Sequence, residues 1–108
     1  MNDIIHQLQR AVTEKTGEEW IVRCIGDGKT FNFRFHSRSL IRDFPGHSIS
    51  ERVIKHIYGT WHDFISVASG KIAEYRNANL RWRLEHPGEF DDCAARYARI
   101  FESVVIDG

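Results

Sequence analysis

The 108 residues suit one domain, because domains commonly run to about 100 to 150 residues and a second core would have little left to bury. A hydrophobic content of 42%, with 7 Phe, 3 Trp and 3 Tyr against only 2 Pro and 8 Gly, excludes a disordered or collagen-like chain. No apolar run approaches the roughly 18 residues that cross a bilayer, and Met1 to His6 form neither a basic n-region nor a signal core, so cytoplasmic residence is expected and a membrane is not among the expected partners.

The net charge of +0 hides an uneven distribution. Residues 1 to 28 carry 3 basic and 5 acidic side chains, residues 29 to 83 carry 10 and 4, and residues 84 to 108 carry 2 and 6. Arginine supplies 11 of the 15 basic residues, and its planar guanidinium grips carboxylates and phosphates in bidentate fashion. Two readings stay open: the acidic ends fold back on the basic middle, or the middle faces an anionic partner.

Asn2 or Asp3 can cap a first helix whose apolar positions Ile4, Ile5, Leu8, Ala11 and Val12 share a face, and Gly17 is its stop signal. The period then changes to two. Trp20, Val22 and Cys24 alternate with Ile21, Arg23 and Ile25, and after Gly26-Asp27-Gly28 the alternation resumes as Phe31, Phe33 and Phe35 against Asn32, Arg34 and His36. This predicts a β-hairpin with its Phe face on helices and its Asn32, Arg34, His36 face in water. Residues 36 to 48 leave a short helical turn and a third edge strand equally open.

Ser48 followed by Glu51 resembles a capping box and predicts the start of a long helix, from about residue 49 to 79. Its apolar stripe runs from Val53 through Ile54, Ile57, Tyr58, Trp61, Phe64, Ile65, Ala68 and Ile72 to Tyr75, within an arc of roughly 140°. The stripe keeps phase through Ser69-Gly70, so Gly70 is read as an internal glycine. Beyond Asn79 the alternation of Leu80, Trp82 and Leu84 leaves a helix end and an extended segment both open. Pro87 breaks the chain at His86. A last helix from about Glu89 places Phe90, Cys93, Ala94, Tyr97, Phe101 and Val104 on one face, with Glu89, Asp91 and Asp92 complementing its dipole. The expected class is helix-dominated α+β: an N-terminal helix, a β-hairpin, then a long helix and a C-terminal helix packed antiparallel (α-β-β-α-α), forming a single domain over residues 1 to 108.

Chemistry-bearing patterns are scarce. His6, His36, His47, His56, His62 and His86 show no HxxxH or HExxH spacing, so no metal is expected. Cys24 and Cys93 fit no CxxC pattern and are read as buried reduced thiols. There is no GxSxG, and Gly26-Asp27-Gly28-Lys29-Thr30 lacks the first glycine and the following helix of a phosphate loop. No enzymatic activity and no cofactor are expected.

What remains is a run of interleaved cations and aromatics, Lys71, Tyr75, Arg76, Arg81, Trp82 and Arg83, together with Arg38 and Arg42 beside Leu40, Ile41 and Phe44. Arg and Trp dominate protein-interface hot spots, so Arg76, Arg81, Trp82, Arg83, Arg38 and Arg42 are the candidate partner-binding residues. The competing reading pairs these arginines with Glu85, Glu89, Asp91 and Asp92 inside the fold. Length favours a partner: a 49 to 79 helix would reach roughly 46 Å, beyond a domain about 34 Å across, and would overhang. The expected function is a small non-enzymatic protein-interaction factor, an adaptor, inhibitor or immunity-type protein of the kind phages and plasmids encode, docking on a larger protein. The alternatives are nucleic-acid binding by the basic middle segment and a structural homodimer through the long helix.

Overall fold

The computed structural model describes residues 2–27, 29–88 and 91–107, and for 91–93 and 107 the backbone alone. Seven elements follow in order: α1 (Asn2–Thr16), β1 (Ile21–Gly26), β2 (Thr30–His36), β3 (Ile41–Ser50), α2 (Glu51–Tyr58), α3 (Trp61–Glu85) and α4 (Asp91–Asp107). The class is helix-dominated α+β, with two additions to the expected order: a third strand, and a long helix divided in two. The expected roles of Gly28, Glu89 and Phe90, and those of the Asp91, Asp92 and Cys93 side chains, lie outside the described residues.

The helix α1 buries Leu8 and Val12, and stops at Gly17, which sits at φ 75° and donates its N–H to the Thr13 carbonyl at 2.8 Å. The β1–β2 hairpin is antiparallel, with Val22 opposite Phe35 and Cys24 opposite Phe33. Asp27 closes its turn by accepting from the N–H groups of Lys29 and Thr30, both at 2.9 Å. At Gly26 a Cβ would lie 2.0 Å from the Thr30 carbonyl oxygen, so no larger residue fits the strand end.

The open segment after His36 is a strand. β3 pairs antiparallel with β2, setting Arg42 opposite Phe35 and Phe44 opposite Phe33, in a sheet of order β1-β2-β3. The register then moves to Ile49 opposite Phe31, so residues 45–48 bulge out. Because β3 continues to Ser50, the cap of the next helix is Ser50 and not Ser48, its side chain accepting from the Val53 N–H at 3.2 Å.

The single helix expected over residues 49 to 79 breaks at Gly59-Thr60. Gly59 takes φ 89°, donating its N–H to the Lys55 carbonyl at 2.8 Å, and Thr60 caps α3 by accepting from the Asp63 N–H at 3.0 Å. The break turns α2 away from the stripe, leaving Val53 37% and Ile57 62% exposed. Gly70 is internal to α3, as expected, and α3 runs on to Glu85, so Leu80, Trp82 and Leu84 are helical. At 25 residues α3 reaches about 37 Å, shorter than the expected helix of roughly 46 Å because the break at Gly59-Thr60 removes its first turns, and the molecule is elongated, 43 Å in its longest dimension.

The core lies between the Phe face of the sheet and the helices α1 and α3. Trp20, Val22, Phe31, Phe33 and Phe35 meet Leu8 and Val12 of α1 and Phe64, Ala68 and Ile72 of α3. Trp61 is half-buried and stacks on Phe31, with ring centroids 5.7 Å apart. The opposite sheet face is less wet than expected, because His36, between Ile21 and Ile41 in register, is buried. α4 packs against β1 and buries Phe101 and Val104.

Candidate functional site

The turn between β2 and β3 is the hub to which most of the candidate arginines run. Its own shape comes from Ser37, whose Oγ accepts from the N–H groups of Ser39 and Leu40, both at 3.1 Å. Ser39 Oγ donates to Glu18 Oε2 at 3.0 Å, and the same carboxylate oxygen accepts from Arg76 Nε at 2.7 Å. Arg83 donates to the Ser39 carbonyl and lies over the Tyr97 ring. Arg38 pairs with Glu102 at 2.6 Å, approaches Glu19 at 3.9 Å, and stands 4.5 Å above the Phe101 ring.

Arg38, Arg76 and Arg83 therefore tie α3, α4 and the segment before β1 to one turn. Their partners are not the predicted Glu85 or, among the described residues, any acid near it. The acidic ends do return to the basic middle, through Glu18, Glu19 and Glu102. Arg76, in a largely buried pair with Glu18, must lose that contact before it can grip a partner and is a weak anchor; Arg38 and Glu102 form an exposed pair, which is worth little and exchanges readily.

The other three candidates sit differently. Leu40 and Arg42 at the start of β3 form one wall of an open cleft of about 330 Å³, and Tyr75, Ala78, Asn79 and Trp82 of α3 form the other. The helical residues are three, four and seven apart and so share one face. Arg42 places its guanidinium 4.0 Å above the Tyr75 ring, a cation–π contact, and no carboxylate pairs with it among the described residues. Trp82 stacks on His86 with ring centroids 3.8 Å apart. Asn79 Oδ1 is buried and has no hydrogen-bond partner among the described residues. Arg81 is exposed, on the next turn of α3 from Ala78, and has no partner among the described residues.

The structure thus gathers Arg42 and Trp82 into one site with Arg81 on its flank, and sets Arg38, Arg76 and Arg83 apart in the turn. Ala78 and Asn79 carry no assignment in the sequence, where Leu40 enters only as an apolar neighbour of Arg38 and Arg42; the continuation of α3 to Glu85 is what puts Tyr75, Ala78, Asn79 and Trp82 on a single face. No family model, curated protein or solved structure matches this chain. The cleft itself must carry the argument.

Elsewhere, a broader cleft is lined by Lys29, Ser50, Glu51, Arg52 and Lys55, where Glu51 is engaged by Lys55 at 3.4 Å. Among the described residues no three His, Cys, Asp or Glu side chains are grouped to hold a metal, and no helix is long and apolar enough to cross a membrane. Cys24 is a free thiol, half-buried rather than fully buried, and burial raises its pKa. His36 has its pKa lowered, first by burial and then by Arg23 and Arg34, against the opposing pull of Asp43.

Proposed function

We propose that this protein is a small non-enzymatic interaction factor, cytoplasmic, of the adaptor, inhibitor or immunity type, which docks on a larger protein through the Arg42, Tyr75 and Trp82 cleft. One observation carries the reading: the cleft joins an arginine that pairs with no carboxylate among the described residues to two large aromatic rings on an open surface. Arg, Tyr and Trp are the side chains that supply most interface energy, because they bury much area at little entropic cost and still offer donors. The cleft's lining pairs no nucleophile with a base, which suits binding rather than a reaction.

Affinity capture with the whole protein from its source cell, compared with the R42E/R81E variant, tests this. We expect the variant to lose the captured protein while remaining folded, its melting temperature lower by no more than about 5 °C through the lost Arg42–Tyr75 contact, since neither arginine holds an internal ion pair among the described residues. Equal capture by both proteins would overturn the reading.

A second reading, binding of nucleic-acid phosphates, is favoured by Lys29 and Arg52 at the broad cleft, neither of which pairs with an acid among the described residues. Its signature is a mobility shift at about 50 mM salt that is lost near 200 mM.

A further inference from the structure

Resting on the docking reading, we infer that the partner presents an extended acidic peptide, which adds as a fourth strand to the free edge of β3 at Ile41–Asp43 and drops its side chains into the adjoining cleft. The ladder decides which backbone groups are available. The Ser37 N–H donates to the Leu40 carbonyl at 2.9 Å, and Arg42 lies opposite Phe35. By the alternation of an antiparallel pair, Leu40 and Arg42 aim their backbone groups at β2, whereas Ile41 and Asp43 aim theirs away. β3 is the outermost strand, and no described residue hydrogen-bonds those outward N–H and C=O groups. An exposed edge of this kind is a template for an added strand. The template is short, since Pro45 has no N–H to offer and the bulge begins there.

The side chains select the peptide's chemistry. A residue added opposite Arg42 points to the same face as Arg42, beside a guanidinium whose one contact among the described residues is the Tyr75 ring. An acidic side chain satisfies it. On the other face Asp43 is already engaged by Arg34 at 2.7 Å, so nothing there repels or attracts strongly. Two residues along the peptide, the next side chain on the cleft face meets Leu40, Tyr75, Ala78 and Trp82 in a space of about 330 Å³, which suits one large apolar group. The recognised pattern is therefore an acid two residues from a large apolar residue, in extended conformation.

The test presents the whole protein with an arrayed library of random nine-residue peptides and follows the most strongly selected one by amide hydrogen exchange. We expect selected peptides to carry Asp or Glu two positions from Leu, Ile, Phe or Trp, and to slow exchange at the Ile41 and Asp43 amides. N-methylation of the peptide at the residues facing β3 should weaken binding at least tenfold, as should Arg42→Glu; the first change cannot unfold the protein. Selection of no peptide, or affinity left undiminished by N-methylation of both alternate sets of residues tested in turn, overturns strand addition. So does a concentration-dependent doubling of mass by light scattering, which would assign the edge to a second copy. If R42E/R81E loses its captured partner while that partner leaves Ile41 and Asp43 exchange unchanged, strand addition fails and the docking reading survives. Capture indifferent to R42E/R81E defeats the docking reading itself.

Discussion

Phe64 is the residue at which four elements meet, and truncating it should remove a large share of the stability. Its ring lies 5.5 Å from Phe33 of β2, 6.1 Å from Phe44 of β3, 5.1 Å from Tyr58 of α2 and 5.6 Å from Trp61 of α3. It is wholly buried. Phe→Ala in a core costs about 3–5 kcal/mol, part lost transfer energy and part the cavity left behind. Aromatic pairs add about 0.5–1.5 kcal/mol each beyond area, though neighbours in one cluster do not sum. We therefore place Phe64→Ala near the top of the range, at about 4–5 kcal/mol, against a total of about 5–15 kcal/mol for an ordinary domain. With about 4 °C lost per kcal/mol at this chain length, the melting temperature should fall by roughly 15–20 °C. Phe64→Leu keeps most of the volume and should cost about 1–2 kcal/mol. Urea titration followed by circular dichroism measures both, with Leu84→Ala as control: Leu84 is 83% exposed and should change stability by less than about 0.5 kcal/mol. A Phe64→Ala protein that melts within about 5 °C of wild type, or a Leu84→Ala loss of equal size, would refute the placement of the core.

Acid should destabilise the fold through His36. Its pKa is lowered by burial and by Arg23 and Arg34, so the unfolded chain binds the proton more readily than the folded one. The stability tied to a neutral His36 is present above the ordinary value of 6.5 and is lost as pH falls below it towards the lowered folded value. The urea midpoint should drop between pH 7.5 and 5.5, and drop less in His36→Leu; parallel pH profiles for the two proteins would refute this. At the helix break, Thr60→Ala should cost about 1 kcal/mol through the lost cap, and Gly59→Ala about 1–2 kcal/mol because φ 89° is strained for any side chain. If Gly59→Ala instead raises the urea midpoint, the break is not what the sequence prefers. Cys24 should alkylate with iodoacetamide more slowly than free cysteine at pH 7.5, since burial raises its pKa, and catch up in urea; equal rates in the native protein would show the thiol to be unshielded.

The alternation of Trp20, Val22, Cys24 and of Phe31, Phe33, Phe35 was enough to set the hairpin and its buried face, because strand faces repeat every two residues within the segment itself, whereas only the structure sets the pairing of Val22 with Phe35. The same local logic makes α1, most of α3 and α4 legible. The break at Gly59-Thr60 is also written locally, as a glycine followed by a capping Thr with Asp63 three residues on, but the stripe stays in phase across it and periodicity alone does not register it. β3 has no such local signature. Arg42, Asp43, Pro45, Gly46 and His47 do not alternate, and the segment is a strand because β2 offers an unpaired edge and Arg34 a partner for Asp43.

The candidate site divides along the same line. That Tyr75 and Trp82 share a helical face is a matter of spacing, and the presence of arginines a matter of composition. Which arginines remain available is neither. Arg76 meets Glu18 from 58 positions away, and Arg38 meets Glu102 from 64, pairings set by how α1, the sheet and α4 fold back on one turn. Arg42 meets no carboxylate among the described residues, because the same packing places it over an aromatic ring at an open strand edge. Local sequence determined the elements and their faces, since backbone sterics and side-chain period act within a few residues. Tertiary packing decided the third strand, the cleft and the availability of its charges, since those depend on which distant groups come within a few ångströms.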